Sequence, residues 1–305
     1  MKLKLILTIF FGAALDLALA GPVSPLTLSG FVSTQWLSHN YNDPGLLVID
    51  IRETAEYNAG HIPRAINIPW GMPECAWISY GPDDLLLELP NDKYFFGNMS
   101  AAGVSKHKRI IISMSNASPP YPQAQAARVA MTLRLAGFSQ TQILNGGFTK
   151  WIAEGRPVST ELPILPPSGV KGSIDRSDMV DHEYVHAVIN KKIILDARDP
   201  GVYNGSIIEE FAQKAGHIPS AKSLSTLALL FDPSGDYKDR STLMEVVKDV
   251  VGSKVKKETE MIVYCGVGGY AAALYWVLTA ELGFCNIKFY DGSAQDWVKF
   301  YDMEI

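Results

Sequence analysis

The sequence has few cysteines and no cluster of basic residues. Three cysteines, Cys75, Cys265 and Cys285, occur in 305 residues, which excludes a disulfide-dense scaffold and, because the number is odd, leaves at least one thiol unpaired. Cys75 and Cys285 either form one disulfide or remain two half-buried thiols. No Cys-x-x-Cys pair is present, which argues against a dithiol redox protein. With 27 basic against 32 acidic residues and a net charge of −5, nucleic acid is not an expected partner.

A long apolar run occurs only at the start of the chain. Two lysines precede the apolar stretch 5–15, and Ala18-Leu19-Ala20 supplies small residues before a cleavage point. This pattern predicts a secretory signal over residues 1–20 and an exported protein, periplasmic or secreted. An uncleaved anchor is the alternative, but Asp16 opposes it because a carboxylate in lipid is unfavourable. No later stretch is long enough to span a bilayer, so no stable membrane insertion is expected after cleavage.

The chain contains an internal repeat. A pattern of Asp-x-Arg, Gly-His-Ile-Pro and a late tryptophan occurs twice, in the same order. The matching residues are Asp50 and Asp196, Arg52 and Arg198, His61 and His217, and Trp151 and Trp297. Most pairs are separated by 146 positions, but the Gly-His-Ile-Pro motifs are separated by 156. The second copy therefore carries ten extra residues within the segment 204–215, which we call the insertion.

Each copy predicts short buried strands that alternate with helices. Such alternation is typical of an α/β fold, with a parallel sheet covered by helices on both faces. The predicted strands are 46–49, 109–112 and 142–144 in the first copy and 193–195, 261–264 and 287–290 in the second, and the longest predicted helices are 123–136 and 271–282. We predict a first domain over 21–156, a proline-rich linker over 157–172, and a second domain over 173–305.

Cys265 directly follows a predicted strand, where ligand sites of open α/β sheets lie. It begins the segment Cys265-Gly266-Val267-Gly268-Gly269-Tyr270, which leads into a helix and which we call the cysteine loop. Three glycines allow the backbone to turn several N–H groups inward, and the helix N-terminus adds a positive dipole end. We therefore expect a lowered Cys265 pKa and a nucleophilic thiolate. The alternative is a small buried side chain beside a glycine turn.

Taken together, these motifs resemble the tandem rhodanese family, which includes thiosulfate and 3-mercaptopyruvate sulfurtransferases. The resemblance covers nearly the whole chain after the signal. It implies a five-stranded parallel sheet in each domain, a site at the cleft between them, and a persulfide on Cys265. A small sulfur donor and a thiol or cyanide acceptor are the implied partners. We expect no cofactor and no metal, and the sequence does not indicate an oligomeric state. Alignment of the copies places Met114 where the second copy has Cys265, so the first domain is expected to be inactive.

The resemblance also implies a catalytic role for Asp50 and His61. In mercaptopyruvate sulfurtransferases, the residues at these two positions are proposed to relay protons to the active loop. A carboxylate can hold an imidazole in one tautomer, and the imidazole can then move a proton. Because Asp196 and His217 occupy the same motif in the second copy, a purely structural role is the alternative.

The residues that bind charged donors in this family are missing. Gly266 and Val267 stand where thiosulfate-type enzymes carry cations after the cysteine. Val202 stands where both types use an arginine. Lys214, within the insertion, is a candidate replacement cation. A less charged donor, such as a polysulfide or a protein persulfide, is therefore expected.

Two further functions compete with sulfur transfer. A phosphatase on the same sheet would need Cys-x5-Arg to clamp phosphate, and Ala271 stands at the arginine position. A non-catalytic binding or sulfur-carrier module remains open, because Val267 and Tyr270 depart from the family's loop.

Overall fold

A computed structural model describes residues 28–71, 76–115 and 120–305 of the chain. The predicted signal at 1–20 lies outside these residues. So does Cys75, and with it the question of a bond to Cys285. Among the helices of the described residues, none combines the length and apolar character needed to cross a bilayer.

The first copy contains five strands and five α-helices among its described residues. They are β1 (Phe31–Val32), α1 (Thr34–Asn40), β2 (Leu46–Asp50), α2 (Thr54–Ala59), β3 (Ile66–Asn67), α3 (Asp92–Ala101), β4 (Arg109–Ser113), α4 (Tyr121–Leu135), β5 (Thr141–Leu144) and α5 (Gly147–Ala153). A short 3-10 turn, Pro82–Asp84, precedes α3. Helix α4 begins two residues before its predicted start, because proline is tolerated in the first turn, where its missing N–H has no intrahelical partner.

The second copy follows the same general order with one strand fewer and one α-helix more. Its elements are α6 (His182–Ala187), β6 (Ile193–Asp196), α7 (Pro200–Tyr203), β7 (Lys222–Ser223), α8 (Thr226–Leu230), α9 (Arg240–Val251), β8 (Met261–Tyr264), α10 (Gly269–Trp276), β9 (Ile287–Phe289) and α11 (Ser293–Phe300). Helix α10 continues as a π-helical turn, Val277–Glu281, where one unbroken helix was predicted. The Thr279 hydroxyl donates to the Tyr275 carbonyl at 2.7 Å, a side-chain bond of the kind that distorts helices.

Both sheets are parallel, and their central strands are buried. The strand order is β1-β5-β4-β2-β3 in the first sheet and β7-β6-β8-β9 in the second. The expectation of five strands in each copy is wrong for the second. There, Met179 makes a single parallel bridge to Phe289. Pairing stops at that point because Asp181 caps α6 by accepting from the Tyr184 N–H.

The carboxyl ends of β4 and β8 are equivalent. The Met114 carbonyl accepts from the Phe148 N–H at 2.8 Å, and the Cys265 carbonyl accepts from the Ala294 N–H at 3.0 Å. These contacts confirm that Met114 occupies the position of Cys265 in the first copy. A buried methionine thioether cannot form a persulfide.

The two copies share one hydrophobic core. Helices α4 and α10 pack against each other across the boundary, and buried residues of both belong to one cluster with strand residues of both sheets. Small residues such as Ala127 and Ala272 line these helices and allow their backbones to approach closely. The cleft beside Cys265 is therefore held by a packed interface.

Candidate active site

Cys265 lies at the carboxyl end of β8, with its sulfur held by the loop that follows. The Gly268 N–H donates to Cys265 Sγ at 3.1 Å. Gly268 has a φ of +87° and precedes the first residue of α10, so the loop turns back on the sulfur. A Cβ on Gly268 would lie 2.9 Å from Asp291 Oδ1. Glycine is thus required here by both the backbone angle and the available space.

The junction between β9 and α11 fixes the backbone around the cysteine. The Cys265 N–H donates to Ser293 Oγ at 3.2 Å. The Gly266 carbonyl accepts from the Gln295 N–H at 3.1 Å. The second copy's Asp-Gly-Ser motif therefore positions the backbone of Cys265.

The electrostatic environment of the thiol differs from the expectation. Cys265 is 2% exposed, and burial raises the pKa of its thiol, an effect that Glu209 reinforces. The N–H groups of Ala271, Val267 and Gly268 act in the opposite direction. The prediction of a lowered Cys265 pKa is therefore wrong, because the loss of water outweighs the N–H cradle. A free thiol is the main form at neutral pH.

The reactivity of Cys265 should accordingly increase with pH. We expect its alkylation by iodoacetamide, a neutral reagent, to keep accelerating above about pH 9, since the pKa lies above the ordinary value of 9.0. Mass spectrometry of the Cys265 peptide across a pH series would measure this rate. Glu209→Gln should move the profile to lower pH, because it removes a carboxylate that opposes the thiolate. A rate that levels off below about pH 7 would contradict the assignment.

Cys265 opens into a cleft of about 460 Å³ that both copies line. The first copy contributes Trp70, Leu87, Tyr121, Ala124 and Gln125. The second contributes residues 208–211 of the insertion and, except for Gly268, the cysteine loop. The resemblance implied a site at this boundary, and Cys265 lies in a cleft there.

The insertion packs directly on the cysteine loop. A Cβ on Gly266 would lie 2.4 Å from the Phe211 ring and 2.9 Å from Glu209 Oε1. Glu209 and Phe211 thus border the residue after Cys265, and the sequence analysis missed both. The available signal was the insertion itself, present in only one copy and combining two glutamates with large apolar residues.

Lys214 does not supply the missing cation to the cleft. Its ammonium contacts Asp302 at 3.0 Å and donates to the Tyr301 carbonyl at 2.9 Å, near the C-terminal end. The suggestion that Lys214 replaces the donor-binding cations is therefore wrong, because the Lys214 ammonium is bound by Tyr301 and Asp302 instead.

Asp50 and His61 do not line the cleft with Cys265. Asp50 is buried in an ion pair with Arg52, at 2.6 Å. The ring nitrogens of His61 face the Tyr57 and Glu161 carbonyls at 2.9 and 3.0 Å. The ring is fully buried and stacks on Tyr57. The structure thus places His61 against the linker and pairs Asp50 with Arg52, and neither residue lines the cleft with the sulfur.

The second copy repeats this arrangement. Asp196 pairs with Arg198 at 2.6 Å. His217 stacks on Tyr203 and faces its carbonyl at 2.9 Å. His61 pairs with Ser159 and His217 with Glu304 through isolated antiparallel bridges. Each motif therefore ties down the segment that follows its domain's last helix, which favours the structural role.

We expect His61→Ala to lower stability without changing the chemistry. Loss of two buried polar contacts and a stacked ring should reduce the free energy of unfolding by about 2–4 kcal/mol. Urea unfolding would measure this loss. The pH profile of sulfur transfer should stay the same, whereas a shifted profile would support a proton relay. His217→Ala is the matched variant in the second copy.

Known proteins show the same organisation. Residues 33–154 and 181–300 each match the rhodanese-like domain. The sulfur carrier protein TtuD of Thermus thermophilus is 28% identical over 280 residues, covering 87% of this chain and 92% of its own. A thiosulfate sulfurtransferase of Corynebacterium glutamicum is 27% identical over 289 residues, covering 90% and 89%.

A solved structure extends the comparison to the fold. The crystal structure of SseA from Escherichia coli, presented with the mechanism of 3-mercaptopyruvate sulfotransferases, is 27% identical, with a TM-score of 0.71. The alignment covers 87% of this chain and 98% of SseA. With two matched domains and a cysteine at the end of β8, the chain belongs to the rhodanese sulfurtransferase family.

Proposed function

We propose that the protein transfers sulfane sulfur through a persulfide on Cys265. The observation that carries this proposal is the contact between the Gly268 N–H and Cys265 Sγ, at the base of a cleft that both copies line. A sulfur held in this way is fixed in position and open to a small substrate on one side.

The proposed reaction consists of two displacements. In the first, Cys265 loses its proton and attacks the outer sulfur of the donor. A new S–S bond forms, the donor's own bond to that sulfur breaks, and the remainder leaves with the electron pair. In the second, a thiol or cyanide acceptor removes the outer sulfur and releases the Cys265 thiolate. Backbone N–H groups of the cysteine loop stabilise negative charge on sulfur in both steps.

The charges around the cleft indicate which donors fit. Glu209 and Glu210 line it, and no lysine, arginine or histidine does so among the residues that the structure describes. Each negative charge on a donor is therefore opposed by on the order of 1 kcal/mol per carboxylate. The proposed donor is less charged than thiosulfate, such as a singly charged hydrogen polysulfide or a protein persulfide.

Mass spectrometry of the full chain tests the proposal. The reduced protein is incubated separately with thiosulfate, 3-mercaptopyruvate and polysulfide. We expect one extra sulfur atom on the Cys265 peptide, highest with polysulfide and removed by cyanide or dithiothreitol. No adduct on Cys265 with any of the three donors would refute sulfur transfer.

A sulfur-carrier role is the second candidate. The observation that favours it is the similarity to a relative named as a sulfur carrier, together with the absence of donor-binding cations in the described cleft. A carrier would pass its persulfide to a partner protein and would turn over slowly with small acceptors. Multiple-turnover kinetics with polysulfide and cyanide separate the two roles.

A further inference from the structure

The wall of the cleft is acidic. Glu209 and Glu210 both line it, on the same segment of the insertion. The two internal stretches outside the described residues, 72–75 and 116–119, contain no lysine, arginine or histidine. No basic residue of these stretches can therefore balance the two glutamates.

Arg198, the cation that contacts Glu209, is already paired with another carboxylate. Arg198 forms a close pair with Asp196 at 2.6 Å, and its other terminal nitrogen is 3.4 Å from Glu209 Oε2. Its guanidinium also donates to the Gly216 carbonyl at 2.8 Å. One buried guanidinium thus faces two carboxylates, so negative charge remains on the Glu209 side. Burial also raises the pKa of Glu209, as expected for a carboxylate with incomplete compensation.

Aromatic side chains line the same cleft as the glutamates. Trp70 and Tyr121 come from the first copy and Phe211 and Tyr270 from the second. The Tyr121 and Tyr270 rings are 5.8 Å apart at an angle of 42°. Aromatic faces attract ammonium groups, more strongly where water is partly excluded. Acidic and aromatic walls without a cation are suited to an organic cation.

This region borders the nucleophile. Glu209 Oε1 would lie 2.9 Å from a Cβ on Gly266, the residue after Cys265. A cation at Glu209 would therefore lie next to the cysteine loop, and Glu209 itself already acts on the Cys265 thiol. The cation would also offset the carboxylate that disfavours the Cys265 thiolate. Binding and activation would thus be coupled.

We propose that the cleft recognises a thiol that carries a protonated amine, with Glu209 as the residue that selects for the positive charge. This inference deepens the proposed function and rests on it. The aminothiol is the acceptor: its thiolate attacks the outer sulfur of the Cys265 persulfide. The new S–S bond forms as the bond to Cys265 Sγ breaks, and the proton lost by the acceptor thiol is available to the leaving Cys265. No oxidant or reductant is needed.

A matched pair of acceptors tests the selection. The persulfide is first formed with polysulfide, and its loss is then followed by rapid mixing with cysteamine, which is cationic, or N-acetylcysteamine, which is neutral. Rates are divided by those of each thiol with a free persulfide. We expect cysteamine to react at least about tenfold faster after this correction. Equal corrected rates would overturn the proposal.

Two variants test whether Glu209 causes the preference for cysteamine. Glu209→Gln should reduce the preference for cysteamine to less than about threefold, because it removes the charge and keeps the shape. Glu245→Gln, an exposed glutamate of α9, is the matched control and should keep the full preference. An unchanged preference in Glu209→Gln would exclude Glu209 as the selecting residue.

A binding measurement keeps the inference separate from the proposed function. S-methylcysteamine is cationic but cannot accept sulfur, and its N-acetyl form is neutral. Calorimetry on the reduced protein should show tighter binding of the cation, lost in Glu209→Gln. If no donor forms a persulfide, the proposed function fails. The binding of S-methylcysteamine against its N-acetyl form would still show whether the cleft selects a cation. Equal binding of the two compounds would overturn the site even if Cys265 carries sulfur.

Discussion

Cys265→Ser is expected to abolish persulfide formation and to lower sulfur transfer by at least about 10³-fold. A serine hydroxyl does not attack sulfane sulfur and cannot hold it as a persulfide. Serine is nearly the same size, and its oxygen can accept the Gly268 N–H that now donates to Sγ. The free energy of unfolding should therefore change by no more than about 1 kcal/mol. Cyanide-trapping kinetics, mass spectrometry and urea unfolding measure the three quantities.

The matched control is Cys285→Ser. Cys285 is exposed and does not line the cleft, so this variant should retain both the adduct and the rate. Sulfur transfer that persists in Cys265→Ser and disappears in Cys285→Ser would instead identify Cys285 as the nucleophile.

Much of the fold could be predicted from the sequence because each motif and each strand pattern occurs twice in the chain. Strand β8 was predicted over the residues that form it, since an apolar run buried on both faces has clear ends. The fifth strand that the resemblance implied for the second sheet does not form, and Met179 makes only a single bridge to β9. The local reason is the cap on α6 that Asp181 provides, and the strand count itself came from the family and not from this segment.

The candidate site was predicted only in part. The position of Cys265 and the loop's glycines are local features, and local spacing indicates them well. The Cys265 pKa depends on burial by the whole fold, which a glycine pattern does not reveal. The cleft wall formed by Glu209 and Phe211 depends on where the insertion folds, and an insertion has no counterpart in the other copy to guide its placement. Asp50 and His61 were assigned through resemblance, while in this chain Asp50 pairs with Arg52 and His61 contacts the linker.

A second large effect is expected at the buried ion pair that joins the two copies. Arg128, on α4, is fully buried and donates to both carboxylate oxygens of Asp291, at 2.6 and 2.9 Å. It also donates to the Leu87 carbonyl. Arg128→Met keeps much of the side chain's volume but leaves Asp291 without its cation. Removal of one partner from a buried pair typically lowers the free energy of unfolding by about 3–5 kcal/mol.

Urea unfolding of the full chain measures this loss, and one transition is expected because the copies share a core. The control is Arg176→Ala, which removes a second pair between the copies, with Asp92 at 2.7 Å. That pair is partly exposed, so its loss should amount to no more than about 1 kcal/mol. Sulfur transfer should decline in Arg128→Met alone, because Asp291 Oδ1 borders Gly268 of the cysteine loop. If both variants lost the same free energy of unfolding, burial would not be what makes the Arg128–Asp291 pair more important than the Arg176–Asp92 pair.

The effect of Arg128→Met should also depend on pH, through Glu88. Burial, reinforced by Asp291, raises the pKa of Glu88 from 4.5 to about 8, while Arg128 lowers it. Between about pH 4.5 and 8 the folded state therefore holds a proton that the unfolded state has released, so this group lowers the free energy of unfolding as pH rises. Without Arg128 the Glu88 pKa rises further, because the cation that lowers it is gone. The loss of unfolding free energy in Arg128→Met should thus be smaller near pH 5 than near pH 8. A loss that does not change with pH would show that Arg128 does not stabilise the fold by offsetting the charge of these carboxylates.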